Sequence, residues 1–158
     1  MKPYRKNVGI VVFNSKGEVL VGRRVGPYRD NWQYPQGGID EDEEPKQAAV
    51  RELYEEVGIK EVQFVYEAPK WISYDFPKDL DIKLSKKYAG QIQKWFLVFW
   101  DKSVSDCNLH TYEPEFEMVQ FIPIEMTIDK VVPFKKHVYQ EILNLFQPEI
   151  QKYLSSKR

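Results

Sequence analysis

Apolar positions along this chain follow two rhythms. Residues 7–14 (NVGIVVFN) and 18–24 (EVLVGRR) are β-branched runs separated by Ser15-Lys16-Gly17, a turn signal, and together they predict a hairpin. Residues 61–68 and 71–74 read as short strands, residues 91–100 (QIQKWFLVFW) as a long central strand, and residues 118–122 as a further strand. Helical spacing replaces alternation in two places. Over residues 45–57, Ala49, Leu53 and Val57 fall at i, i+4 and i+8 with Val50 beside them, which gives an apolar stripe for a core. Pro45 suits a first helical position, and Gly58 suits the exit. Over residues 133–146, Val138, Ile142, Leu145 and Phe146 recur near helical spacing and predict a second major helix. The expected architecture is α/β, a mixed β-sheet between helices in an α/β/α sandwich, although the same pattern by itself also admits α+β.

The 158 residues suit one domain over 1–158, large enough to bury a core without disulfides, and they contain no repeat or long linker. The single Cys107 leaves no disulfide partner within the chain. No apolar run follows the charged start MKPYRK, so neither secretion nor a membrane span is expected, and the default location is the cytoplasm. A net charge of −1 gives no overall basic field, but the charges are unevenly placed. Acid crowds residues 40–56, whereas lysines and arginines are spread through the flanking segments. Opposed in this way, the two sets suit a metal on one side and a polyphosphate on the other. His110 and His137 lack metal-ligand spacing to each other.

The acidic helix carries the chemistry. Glu52, Glu55 and Glu56 lie at i, i+3 and i+4, together on a face beside the apolar stripe that is expected to be exposed. Like charges one helical turn apart repel by a few tenths of a kcal/mol per pair, more if desolvated. A hard divalent cation, Mg²⁺ or Mn²⁺, is their natural partner, because such ions are held by carboxylates together with substrate phosphates. A plain solvated acidic face is the alternative for an arbitrary Glu-rich helix. Arg51 lies within reach of Glu43, Glu44 and Glu55 and can orient a loop carboxylate against the helix. The Gly37-Gly38 pair, after the strand-like Trp32-Gln33-Tyr34-Pro35, is expected to form a tight turn that brings backbone amides close to a ligand. A calcium loop starting at Asp40 is rejected, since Pro45 stands where its glycine and Arg51 where its bidentate carboxylate would be needed.

Gly37, five residues, Glu43, seven residues, Arg51-Glu52-Leu53, one residue, Glu55-Glu56, one residue and Gly58-Ile59 match the Nudix box without departure, so the chain resembles the Nudix hydrolases. The resemblance implies the α/β/α fold and hydrolysis of a phosphoanhydride bond in a nucleotide. It assigns the metals to Glu52, Glu55 and Glu56, with Gly37 counted among the metal-binding positions, and makes Glu43, Arg51, Gly38 and Gly58 supports of the site. Segments 4–9, 32–38, 90–96, 114–116 and 132–135 are similar, in order, to the bacterial RNA pyrophosphohydrolases and dinucleoside polyphosphate hydrolases. Lys6 and Ile92 stand where that subgroup usually has proline and lysine. The resemblance makes 5′-triphosphorylated RNA or a dinucleoside polyphosphate the expected substrate. It also makes Glu115, in Pro114-Glu115-Phe116, a further ligand or the general base. Arg5 is expected at a phosphate, Phe134 and Lys135 near a base, Tyr74 against a base or phosphate, and Lys94 among the substrate contacts. A nucleoside triphosphate or sugar-nucleotide pyrophosphatase and a non-catalytic nucleotide-binding module are the alternatives. The second would be expected to have lost one of the three box glutamates, and this chain retains all of them.

Overall fold

The computed structural model describes residues 1–26, 30–80 and 82–157. Strand β1 (Tyr4–Phe13) lies at the middle of the sheet, where its residues are buried from Asn7 onward. It pairs in parallel with β7 (Gly90–Phe99) along its whole length, from Tyr4 opposite Gly90 to Phe13 opposite Phe99. Two long strands buried on both faces form the spine, as near-continuous apolar runs with a β-branched bias should.

The remaining strands are β2 (Glu18–Arg24), β3 (Trp32–Gln33), β4 (Gln36–Gly38), β5 (Gln63–Glu67), β6 (Ile72–Asp75) and β8 (Phe116–Pro123). They run β3-β2-β1-β7-β5 across the sheet, with β4 paired to β1, β6 to β7 and β8 to β2. The expected hairpin exists at its turn, where Gly17 takes a φ of 76° and Phe13 faces Val19. Beyond it the two strands take other partners: β2 pairs with β8 from Glu18 opposite Pro123 onward, and β1 receives β4 alongside residues Asn7 to Gly9. Gly37 and Gly38 therefore lie in a strand and not in the tight turn expected of them.

Alternation along β1 divides the core. Val8, Ile10 and Val12 point to one face, where Ala48, Ala49, Leu53 and Val57 of helix α1 (Pro45–Val57) cover them. Val11 and Phe13 point to the other, beneath Val138, Ile142, Phe146 and Ile150 of helix α4 (Lys136–Ser156). The result is the expected sandwich. Helix α1 opens with Pro45 at its first position and the Glu44 N–H donating to Gln47 Oε1 at 2.9 Å, and it closes on Gly58 at a φ of 71°. Its buried stripe uses Ala48 where the spacing suggested Val50, which is 44 % exposed.

Helix α4 starts later and ends later than the sequence suggests. Residues Pro133–Lys135 form a single 3-10 turn before it, and the helix runs past Pro148 because Ile150 is buried and Tyr153 packs edge-on against Phe13 at 5.5 Å. Proline removes one backbone donor from the helix, and that apolar packing opposes the cost. Two short helices, α2 (Lys83–Lys87) and α3 (Thr127–Lys130), and 3-10 turns at Val104–Asp106 and Ile124–Met126 complete the elements of the described residues.

Candidate active site

The sheet ends in a cavity of about 360 Å³ at the end of β1 where Arg5 and Asn7 project. Arg5, Asn7 and Gln91 occupy alternate positions on the face of β1 and β7 that also carries Val11 and Trp95, so the face changes from apolar core to polar floor along the same strands. Buried amides tie this floor together. Asn7 Nδ2 donates to Gln91 Oε1 at 3.0 Å, and Gln93 Nε2 donates to Asn7 Oδ1 at 2.9 Å and to Gln36 Oε1 at 3.1 Å. A buried network of this kind is costly unless satisfied, and once satisfied it holds the floor in one arrangement.

Acidic groups enter from the α1 side. Glu52 and Glu56 of α1 and Glu115, in the loop before β8, line the cavity. A Cβ added to Gly37 would sit 2.0 Å from Glu52 Cδ, so the absent side chain is the space the Glu52 carboxylate occupies. Gly38 plays the same part on the opposite face, where an added Cβ would lie 2.2 Å from an Arg5 guanidinium nitrogen. The glycine pair thus admits side chains across a strand, which is a different use from the amide-presenting turn expected of it.

Arg51 organises the carboxylates. Its guanidinium donates to both Glu43 oxygens at 2.9 Å, to Glu52 at 2.8 Å, to Glu55 at 3.1 Å and to the Gly38 carbonyl at 2.8 Å. The Glu43 carboxyl is held below the usual range chiefly by the Arg51 hydrogen bonds. Burial dominates elsewhere. It pushes Glu52 up to about 7 against the opposing pull of Arg51, and it raises Glu56 well above the ordinary value, assisted by the negative charges of Glu52 and Glu115. Glu56 is almost fully buried, accepting from the Gln36 N–H at 3.0 Å, so the acidic face of α1 is less exposed than its sequence suggests.

Basic and aromatic groups complete the walls. Arg5, Arg24, Tyr74, Phe134 and Lys135 all line the cavity, Tyr74 and Phe134 with ring centroids 5.8 Å apart. Lys135 is buried, its ammonium 5.2 Å from the Tyr74 ring centre, and burial with the neighbouring Arg24 charge lowers its pKa to about 7. Tyr74 is buried too, and its hydroxyl accepts from Gln91 Nε2.

Lys94 is not part of this site. It faces the α1 side of β7, one residue out of phase with Gln91 and Gln93, where Nζ donates to the Ala68 carbonyl at 2.6 Å and pairs with Glu67 at 3.1 Å. Arg24, Gln36, Gln91 and Asn7 were not singled out from the sequence. The signal for the last two was there, since glutamines at alternate positions of a strand that becomes wholly apolar after Lys94 must be satisfied by something.

The donor chemistry fits a hard cation: three carboxylates converge on one cavity, and the most deeply buried is destabilised by the other two. Among the described residues no three acidic, histidine or cysteine donors already stand close enough to form a metal cage. Glu52 and Glu55 each accept from Arg51 through one oxygen, Oε1 and Oε2 respectively, which leaves each a second oxygen for a cation, although Glu55 does not itself line the cavity.

A family model described as the NUDIX domain matches residues 3–142. The chain belongs to the Nudix family. A protein named RNA pyrophosphohydrolase from Bartonella henselae is 45 % identical over 157 residues, covering 92 % of this chain and 91 % of its own length. One of the same name from Roseobacter denitrificans is 43 % identical, covering 94 % of each. The C. elegans Ap4A hydrolase structure superposes with a TM-score of 0.63 at 17 % identity, covering 89 % of this chain and 97 % of that one, and so shares the Nudix fold. Membership makes the chain a hydrolase of pyrophosphate bonds in a family that uses divalent cations.

Proposed function

We propose that this Nudix hydrolase removes pyrophosphate from the 5′-triphosphate end of RNA, leaving a 5′-monophosphate, with Mg²⁺ or Mn²⁺ as cofactor. The observation that carries the reading is one cavity in which Glu52, Glu56 and Glu115 oppose Arg5, Arg24 and Lys135. Relatives 42–45 % identical over most of the chain that are named RNA pyrophosphohydrolase support the same substrate.

Divalent cations held by Glu52, Glu55, Glu56 and Glu115 would neutralise charge developing on the phosphoryl oxygens. The protein's own groups position the substrate. Arg5 and Arg24 grip phosphate oxygens from the sheet side, Lys135 adds a further hydrogen-bond donor whose charge an entering phosphate favours, and Phe134 offers a stacking face for a base. Arg51 and Glu43 support the acidic wall, and the Asn7, Gln91 and Gln93 amides keep the floor rigid. A cytoplasmic location belongs to the same proposal; no helix among the described residues is long and apolar enough to cross a membrane.

The test is incubation with 5′-triphosphorylated RNA, diadenosine tetraphosphate and a nucleoside triphosphate under Mg²⁺ or Mn²⁺, following pyrophosphate and ATP release. Pyrophosphate from RNA is expected. Cleavage of the nucleoside triphosphate alone, with RNA untouched, overturns the proposal, and cleavage of the dinucleotide alone reassigns the substrate.

A further inference from the structure

A second cavity, of about 310 Å³, abuts the first across Phe76 and Leu80, which line both. Its lining has a different character. Lys2, Lys78 and Lys86 contribute three positive charges and Phe76 and Tyr88 two aromatic rings, and no acidic side chain among the described residues lines it. The segment that carries most of these residues is fastened to the start of β1, because Ala89 N–H donates to the Pro3 carbonyl at 2.9 Å and Lys2 Nζ to the Ser85 carbonyl at 2.8 Å. Tyr4 adds a hydrogen bond to Asp75 at the same edge. Arg5 follows directly in β1, so the anchor of the second cavity and a phosphate-facing arginine of the first belong to one short stretch of chain.

We propose that this cavity is a track for single-stranded RNA: the strand leaving the active site crosses Phe76 and Leu80, with Lys2, Lys78 and Lys86 meeting successive phosphates and Phe76 and Tyr88 offering stacking faces. The inference rests on the RNA reading above and deepens it. Lysines along a groove with interleaved aromatics are the combination that holds single strands without reading sequence. A dinucleoside polyphosphate is too compact to profit from the second cavity, so the track favours long substrates over short ones with the same reacting group. Each lysine-phosphate contact on a single strand steepens the salt dependence of log affinity by about 0.7.

The experiment compares wild type with Lys78→Ala/Lys86→Ala, and with Lys78→Arg/Lys86→Arg as the charge-keeping control. Substrates are a triphosphorylated RNA of ten nucleotides and a triphosphorylated dinucleotide. The alanine pair should raise KM for the longer RNA about tenfold, leave kcat alone and reduce the salt slope by about 1.4, two contacts' worth. The dinucleotide should be turned over as by wild type, which also certifies the fold, and the arginine pair should restore the longer RNA. Equal effects on both lengths, or none on the longer, overturn the track. Fluorescence anisotropy with a 5′-monophosphorylated decamer reads the track without catalysis. A wild type inactive on triphosphorylated RNA defeats the proposed function, and the anisotropy difference between wild type and the alanine pair still decides the track.

Discussion

Replacing Arg51 with lysine keeps the positive charge and removes the fork. The native guanidinium makes five hydrogen bonds, to both Glu43 oxygens, Glu52, Glu55 and the Gly38 carbonyl. A lysine ammonium can satisfy the carboxylates nearest to it but cannot span all five positions. If two or three bonds to charged groups are lost at about 1 kcal/mol each, discounted because the site is partly exposed, the protein loses about 2–3 kcal/mol. For a chain of this size that is a fall in Tm of about 4–12 °C. The pH dependence has a definite sign. Glu43 has its carboxyl lowered by Arg51, so the pair stabilises the fold above the ordinary carboxylate range, and that stability is lost as pH falls through the depressed value. The gap between wild type and Arg51→Lys should therefore be full at pH 7 and shrink as pH falls below the ordinary carboxylate value of 4.5 and through the depressed one. Turnover should drop about 10- to 100-fold, the usual cost of losing a partner that orients metal-binding carboxylates. Thermal denaturation of the metal-free proteins across that pH range, with steady-state kinetics at pH 7, makes the measurement. A variant melting within 2 °C of wild type at pH 7 and turning over normally would refute the reasoning.

Glu52→Gln should abolish turnover yet stabilise the metal-free protein above pH 7 by about 1–2 kcal/mol, since the Glu52 carboxyl is raised to about 7 and its burial penalty is fully present only when ionised. That gain should disappear as pH falls toward the ordinary carboxylate value of about 4.5, and a variant no more stable than wild type at pH 8 would contradict it. Gly37→Ala puts a methyl group where the Glu52 carboxylate lies, so kcat should fall at least tenfold with little change in melting temperature; unchanged kcat shows that Glu52 can be moved without consequence. Lys94→Met, on the face of β7 away from the cavity, should leave KM for triphosphorylated RNA within twofold of wild type, and a tenfold rise would return Lys94 to the substrate site.

Helix α1 and the two long strands were legible because each has a strong period and clear punctuation. Pro45 and Gly58 bracket the helix, and Gly17 marks the one turn that forms as expected. What local pattern missed depends on which strands meet. The longest pairing of β2, with β8, is remote in sequence, so nothing near residues 18–24 announces that the strand leaves β1 for β8. Val50 and Ala48 differ by two residues on the helix, and only the position of the sheet decides which of them is covered. The box glutamates stand out in the sequence as a group, but the structure brings only Glu52 and Glu56 of them to the cavity, and the burial of Glu56 was not legible because the Gln36 amide that meets it comes from another element. Lys94 misled for a simple reason: in a strand, a neighbour of Gln93 points the opposite way. The apolar spacing read from the sequence stopped at Phe146, and the burial of Ile150 and the contact of Tyr153 with Phe13 on β1 carry the last helix further.

The parallel pairing of β1 with β7 has a consequence for how the chain is made. Parallel neighbours cannot be joined by a short turn, and here 85 residues lie between Tyr4 and its partner Gly90. During synthesis β1 leaves the ribosome long before β7 exists, with Val8, Ile10, Val11 and Val12 lacking the neighbour that later shields them. Arg5 and Asn7 likewise gain Gln91 only after that strand arrives, so a nascent chain has no reaction chamber until more than half its length has been translated. The interval exposes a sticky edge to other nascent chains, and truncation before residue 90 should yield aggregates in place of a smaller working enzyme.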